Sequence, residues 1–294
     1  MILKSSKELK QKDFKNEKEL QTYIENNMQA ILGFQFIETE FAVGNFRIDS
    51  LAYDKESNAF RIIEYKNIRN RSLVDQGYTY LKLMLARKAD FVLKYNEKTN
   101  SSLKISDIDW SQSRVVFVSP VYTEYQLNAA DFKNIPIDLV KVTKYEDEIV
   151  EVDFIKKTSN VKVEDVISDN TNTTEIKVYN EDDHLAKLSD SQKALYRKLK
   201  ETILSLDDID VDVKKLYIAF KGRTNIVDVV IKQKSLEVNI NMKKGTLKDP
   251  LKIARDMTEK GHWANGDYRV TIKTEDDIDN LVPLIKQSIK VNGK

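Results

Sequence analysis

The sequence predicts an α/β domain over residues 1–157, a mixed sheet flanked by helices, then a polar linker at 158–187 and a smaller α+β domain at 188–294. Three observations lead there. Apolar runs of strand length alternate with segments of helical period in the first half of the chain. Apolar content then falls between Lys157 and Lys187, where Asn, Thr, Ser and acidic residues dominate. A second set of strand and helix patterns follows, and 294 residues that are 41% hydrophobic suffice for a core in each half.

The elements of the first half follow in order. Glu17 to Gly33 carries an apolar stripe of Leu20, Tyr23, Ile24 and Met28, with Ile31 and Leu32, and Gly33 stops the helix. Phe34 to Val43 and Phe46 to Tyr53 are strands, Asp54 to Asn58 is turn chemistry, and Ala59 to Lys66 is a second strand of a hairpin. Ser72 is placed to cap a long helix through Leu73, Gln76, Tyr80, Leu83, Met84 and Arg87. Arg114 to Ser119 reads as a buried strand ended by Pro120, Tyr122 to Phe132 as a short helix, and Ile137 to Lys144 with Ile149 to Ile155 as terminal strands. In the second half Asp190 is placed to cap a helix with Leu195, Leu199, Ile203 and Leu206 inward. Strands are expected at Leu216 to Phe220, Ile226 to Ile231, Leu236 to Ile240 and Tyr268 to Ile272, and a final helix from Asp276 to Ile289.

Chemistry concentrates on the hairpin. It brings Asp49 near Glu64, and strand alternation puts Glu64 and Lys66 on one face. Two carboxylates offer hard oxygen ligands to Mg²⁺ or Mn²⁺ beside a phosphodiester, and an ammonium orients water or offsets charge on the phosphate. Glu-x-Lys is also a common salt-bridge tripeptide, so its surroundings matter. Glu17 shares the face of Leu20 and Ile24, with Glu19 as the alternative in another helix register and Glu25 a third choice on the opposite side. Gln76 and Tyr80, four residues apart, lie on one side of the helix after the Glu-x-Lys strand.

With these residues in order, positions 14 to about 95 resemble the PD-(D/E)XK nuclease superfamily, and within it the NucS-type endonucleases that cut branched or mismatched DNA. The resemblance implies a restriction-endonuclease-like sheet and a Mg²⁺- or Mn²⁺-dependent endodeoxyribonuclease. Glu17, Asp49, Glu64, Lys66, Gln76 and Tyr80 fall on the family's active-site positions. It further implies Glu17, Asp49 and Glu64 around the metal, with the Tyr65 carbonyl as another ligand. Lys66 and Gln76 would position water or the scissile phosphate, and Tyr80 would border the substrate. Ile48 stands where the family motif has proline, and substrate preference does not carry over. The second domain resembles a small α+β domain of unknown function that accompanies nuclease-like domains in bacterial proteins.

The formal net charge is only +1, so its distribution matters more than its sum. Basic residues outnumber acids between Arg61 and Lys94, and Arg69, Arg71 and Arg87 are the candidates for phosphate contacts on DNA. Zero cysteines exclude disulfides and thiolate metal sites. The amino terminus has no apolar signal core and no run of 18 apolar residues occurs, so a cytoplasmic protein without membrane contact is expected. Cutting both strands of a duplex calls for two centres, hence a homodimer or sequential nicking. The second domain is expected to guide substrate or protein-partner choice. The competing reading is a nuclease-fold module that grips DNA or a protein without cutting.

Overall fold

Alternating apolar residues in the first half pair into a seven-stranded mixed sheet, in a computed structural model that describes residues 3–4, 7–66, 73–131, 135–157, 177–186, 188–259 and 264–293. The chain divides into two units, residues 1–178 and 179–294. In the first, β1 (Leu3–Lys4) and β2 (Lys7–Glu8) form a separate ribbon. The sheet contains β3 (Gln11–Lys12), β4 (Gln35–Val43), β5 (Phe46–Asp54), β6 (Ala59–Tyr65), β7 (Arg114–Ser119), β8 (Ile137–Tyr145) and β9 (Val150–Phe154). Its order is β3-β8-β7-β6-β5-β4, with β9 also on β8; β7 runs parallel to both neighbours and every other pair is antiparallel.

Helices cover both faces. On one, α1 (Glu17–Asn26) and α2 (Met28–Ile31) bury Leu20, Ile24 and Met28 against Ala52, Ile63, Tyr65, Val116 and Val140. On the other, α3 (Leu73–Ala86), α4 (Lys88–Thr99) and α5 (Glu124–Ala130) close a larger core that includes Ile62, Phe60, Phe91, Tyr95 and Phe117. The single helix expected at Glu17 to Gly33 is two, broken at Asn27, where φ of −120° leaves the helical region and lets the apolar stripe follow the sheet surface. The helix expected through Leu73 to Arg87 is α3, which ends at Ala86, and α4 follows it after Arg87 without a counterpart in the sequence reading. Ser72 itself lies outside the described residues.

Strand β6 is the centre of the architecture, with all seven residues buried. Its position along β5 is pinned at the turn. Arg61 donates to Asp54 at 2.6 Å, both side chains are almost wholly enclosed, and Arg61 also donates to the Gln112 carbonyl at 2.5 Å. The second Asp54 oxygen accepts from the backbone of Glu56 and Ser57, so one carboxylate closes the turn and pairs the charge. Gly77 sets the spacing of α3 above the sheet: a Cβ there would stand 2.6 Å from Ile137 Cδ1 and 3.4 Å from Phe117. Its bare face lets the neighbouring Gln76 come down to the strands.

The second unit has α6 (Glu181–Leu185), α7 (Asp190–Leu204) and α8 (Glu275–Asn292) with β10 (Asp210–Val213), β11 (Ile218–Lys221), β12 (Asn225–Lys232), β13 (Ser235–Ile240), β14 (Arg255–Asp256) and β15 (Tyr268–Ile272). The strands form an antiparallel sheet in the order β10-β11-β12-β13-β15-β14, with Leu199 and Ile203 of α7 and Leu281 and Ile285 of α8 in one core with its apolar face. Thus the molecule is α/β with a smaller α+β domain. Residues 181–185, read from composition as linker, are helical because Asn180 and Asp183 make a capping box and Leu185 packs inward. His184 lies 2.8 Å from the Lys214 carbonyl. The cap of α7 is Ser189, one residue before the expected Asp190.

Replacing Arg61 by Met should strand the Asp54 carboxylate in the interior and cost about 3–5 kcal/mol in urea unfolding. The Asp54→Asn/Arg61→Met double variant should recover part of that loss.

Candidate active site

The two sequence-predicted acids meet where β5 and β6 part. The last register pair between these strands is Ser50 with Ile63, one residue short of Asp49 and Glu64. Past it, the Asp49 side chain takes the place of the ladder: Oδ2 accepts from the Tyr65 backbone N–H at 3.0 Å. Glu64 points to the α3 side, where Oε1 accepts from Lys66 Nζ at 3.0 Å and Gln76 Nε2 at 2.7 Å. Gln76 also donates to the Tyr80 hydroxyl at 3.1 Å, and that hydroxyl donates to the Arg47 carbonyl at 3.4 Å. Glu64, Lys66, Gln76 and Tyr80 are therefore one hydrogen-bonded group with Asp49 on the adjoining backbone N–H, and β6 with the residue after it and α3 position those four.

Electrostatics follow from burial. The Glu64 side chain is only 4% exposed. Loss of hydration, then the Asp49 charge, pushes its carboxyl up to about 7, against the opposing pull of Lys66 and Gln76. Asp49 is raised too, by burial first, although the Tyr65 N–H and Lys66 favour its charged form. With both neighbouring acids displaced upward, ionising the two together is disfavoured. Burial and Glu64 likewise push the Tyr80 phenol up to about 12, so it stays a neutral donor.

Glu64 Oε2 is buried and has no hydrogen-bond partner among the described residues. An orphaned hard oxygen beside a second carboxylate fits a divalent cation, and Asp49 and Glu64 are the side chains that could hold one. Among the described residues no group of three or more His, Cys, Asp or Glu is arranged to hold a metal, so the remaining ligands would be backbone, water or substrate oxygens.

Other expected site residues stand elsewhere. Glu17 is exposed in the first turn of α1, and that helix packs on the face of the sheet opposite α3. The side chain of α1 that reaches Asp49 itself is Gln21, whose Nε2 donates to the Asp49 carbonyl at 2.8 Å. Of the alternatives, Glu19 pairs with Lys144 at 2.9 Å and Glu25 accepts from Ser50 at 2.6 Å. Arg69 and Arg71 lie outside the described residues. Arg87 is half exposed and faces Asp90 at 3.8 Å.

Three residues at the rim escaped the sequence reading. Glu40 sits across the ladder from Asp49 with φ of +50°, between the register pairs Thr39–Ser50 and Phe41–Ile48. It pairs with Lys18 at 3.0 Å and Arg47 at 3.6 Å, and its charge adds to the upward pressure on Asp49. Phe46 is 44% exposed beside the hairpin turn and packs edge-on against Tyr80, 6.4 Å between ring centres. Arg47 follows it, with a largely exposed side chain. Only Phe46 and Arg47 gave a signal, an aromatic–cation step after an Asn in a turn.

The fold and this site define an α/β protein with a paired-acid centre where two interior strands of a mixed sheet part. The chain belongs to the family of an uncharacterized protein of Haemophilus influenzae (strain ATCC 51907 / DSM 11121 / KW20 / Rd), with which it shares 45% identity over 289 residues, 96% of each chain. Residues 181–292 match the family described as "Domain of unknown function (DUF5655)". Among solved structures, a chain of an EndoMS–dsDNA2 complex is similar over 40% of this chain and 40% of its own, with 18% identity and a TM-score of 0.28. A repair endonuclease from Pyrococcus abyssi is similar over 41% and 45%, with 21% identity and a TM-score of 0.28. The chain thus spans less than half the length of either, and likenesses this distant carry no weight for the chemistry.

The raised Glu64 carboxyl has a thermodynamic consequence. Its folded value of about 7 lies above the unfolded 4.5, so ionising it in the folded protein costs stability; the cost is absent below about 4.5, grows with pH and is complete above about 7. Its upper bound is on the order of 3 kcal/mol. In metal-free buffer Glu64→Gln should melt above wild type at pH 8 and level with it at pH 4.5, and Mn²⁺ should stabilise wild type alone; differential scanning fluorimetry checks all three.

Proposed function

We propose that the protein is a metal-dependent endonuclease that hydrolyses phosphodiester bonds in DNA, with the paired acids as its metal site and the second domain guiding substrate or partner choice. The observation that carries this reading is the buried, partnerless Glu64 oxygen next to Asp49, in a group completed by Lys66, Gln76 and Tyr80. A structural salt bridge would satisfy both carboxylate oxygens; this one leaves one of them open. The PD-(D/E)XK resemblance of the same residues supports the same chemistry.

In this reading Asp49 and Glu64 hold Mg²⁺ or Mn²⁺, which when bound lowers the pKa of a water and offsets phosphate charge. To hold the ion both acids would have to be ionised, against the upward displacement that burial imposes on them. Lys66, already hydrogen-bonded to Glu64, places an ammonium where it can orient the attacking water or face a phosphate oxygen. Gln76 fixes the Glu64 carboxylate and ties it to Tyr80, which lines the substrate side. Glu17, exposed on the far helix, would take part only through a contact made when substrate or metal is bound. Arg47 and Arg87 would hold phosphates at the rim, and Arg69 and Arg71 would do so from the loop after β6.

A cleavage assay with Mg²⁺ and Mn²⁺ on single-stranded, duplex, branched and mismatched DNA tests the proposal. Wild type should cut, and Glu64→Ala and Lys66→Ala should each fall by about 100-fold or more. The metal concentration for half-activity should drop as pH rises through about 7. Arg87→Ala should weaken binding across sequences and lower the salt dependence by about one phosphate contact. Equal cleavage by wild type and Glu64→Ala would overturn the nuclease reading; salt-sensitive binding without cleavage would leave a DNA-gripping module.

A further inference from the structure

Asp49 is held from behind as well as from the site. Gln21 is 4% exposed on α1, and its amide group stands 2.8 Å from the Asp49 carbonyl, 2.9 Å from Glu25 Oε1 and 3.1 Å from Thr39 Oγ1. The same Glu25 oxygen accepts from Ser50 Oγ at 2.6 Å, and Ser50 Oγ lies 3.1 Å from the Tyr65 hydroxyl. Tyr65 closes the circuit, since its backbone N–H donates to Asp49 Oδ2. Starting at the Asp49 carbonyl, hydrogen bonds thus run through Gln21, Glu25, Ser50 and Tyr65 and return to the Asp49 carboxylate.

The circuit lies on the α1 side of the sheet. Tyr65 packs there with Leu20, Ile24 and Ile63, whereas Glu64 turns to Gln76 on α3. None of its side chains other than Asp49 bonds to Glu64 or Lys66. The ladder holds the acid strand here from the β4 side alone, because the β5–β6 register ends at Ser50. Gln21 supplies what the ladder lacks: a rigid, buried donor on a helix that is itself anchored in the core. A 1 Å drift of Asp49 would spoil a two-carboxylate site, and groups that orient ligands from outside commonly govern metal affinity.

We propose that Gln21 is a positioning residue for Asp49, acting through this closed circuit to hold the Asp49 carboxylate against the Tyr65 N–H and at fixed separation from Glu64. The proposal rests on the nuclease reading for its effect on metal and rate, but not for its geometry. Gln21→Met keeps the length and volume of the side chain and removes every hydrogen bond it makes. Ser50→Ala breaks the circuit on its far side and serves if Gln21→Met does not fold.

Amide hydrogen exchange by NMR on the metal-free full chain reads the geometry. In Gln21→Met, or in Ser50→Ala, the Tyr65 amide should exchange at least about tenfold faster while the amides of Ile62 and Ile63 keep their wild-type rates. Calorimetric titration with Mn²⁺ alone should show affinity falling about tenfold, within the range typical of lost outer-shell partners. In the cleavage assay kcat should drop with KM for DNA within about twofold, the pattern of a misplaced catalytic group. Unchanged Tyr65 exchange in the folded variants would overturn the proposal, as would faster exchange spread evenly over β6, which marks general loosening. A wild type that neither binds Mn²⁺ nor cuts DNA would overturn the nuclease reading instead, and the exchange result would still decide the circuit.

Discussion

Two carboxylates set side by side away from water repel each other and lose their hydration, and a fold that keeps them so must hold them by force of its surroundings. Asp49 and Glu64 are in that position. Much of the first unit acts on them: β6 is buried along its whole length, α3 comes close enough through Gly77 to bring Gln76 to Glu64, and α1 reaches Asp49 through Gln21. Lys66 supplies one positive charge to the pair, which leaves the site short of cation by design of its own residues. That deficit makes a divalent ion the natural completion.

The elements were legible where periodicity was strong. The hairpin from Phe46 to Tyr65 stands within a residue of its sequence reading, because β-branched and aromatic residues flank a turn rich in Asp, Ser and Asn. The hairpin and strand alternation were enough to bring Asp49, Glu64 and Lys66 together and the four-residue helical step to pair Gln76 with Tyr80, whereas joining the two sets took the family resemblance. The helix break at Asn27 left no comparable mark, since Asn does not forbid a helix and the bend answers to the sheet beneath. Short strands such as β14 are too brief to show a period.

The role of α1 illustrates a subtler limit. Glu17 and Gln21 are four residues apart and so share a face, and a carboxylate is the more obvious candidate for a metal. What decides between them is depth along the helix relative to the strand ends, a tertiary quantity. Glu17 lies in the first turn and exposed, and Gln21 lies one turn further in, over the Asp49 carbonyl. Glu40 escaped for a related reason: a left-handed residue inside a strand cannot be read from a glutamate codon position, because only Gly, Asn and Asp advertise that conformation.

The Arg61–Asp54 lock at the turn carries a further meaning for how this centre tolerates change. A strand buried on both faces has two sides to choose from, and slipping β6 by one residue would exchange them. Glu64 would then face α1 and Tyr65 would face α3, turning the centre inside out while leaving the apolar content of the strand almost unaltered. Hydrophobic packing alone would scarcely resist such a slip, since Phe60, Ile62 and Ile63 are apolar on either side. The buried ion pair does resist it, because Arg61 can reach Asp54 and the Gln112 carbonyl in one alignment only. The turn between them is part of the same lock, since Ser57 Oγ accepts from Arg61 and bonds to Asp54, so a residue gained or lost anywhere from Asp54 to Glu64 would disturb the centre.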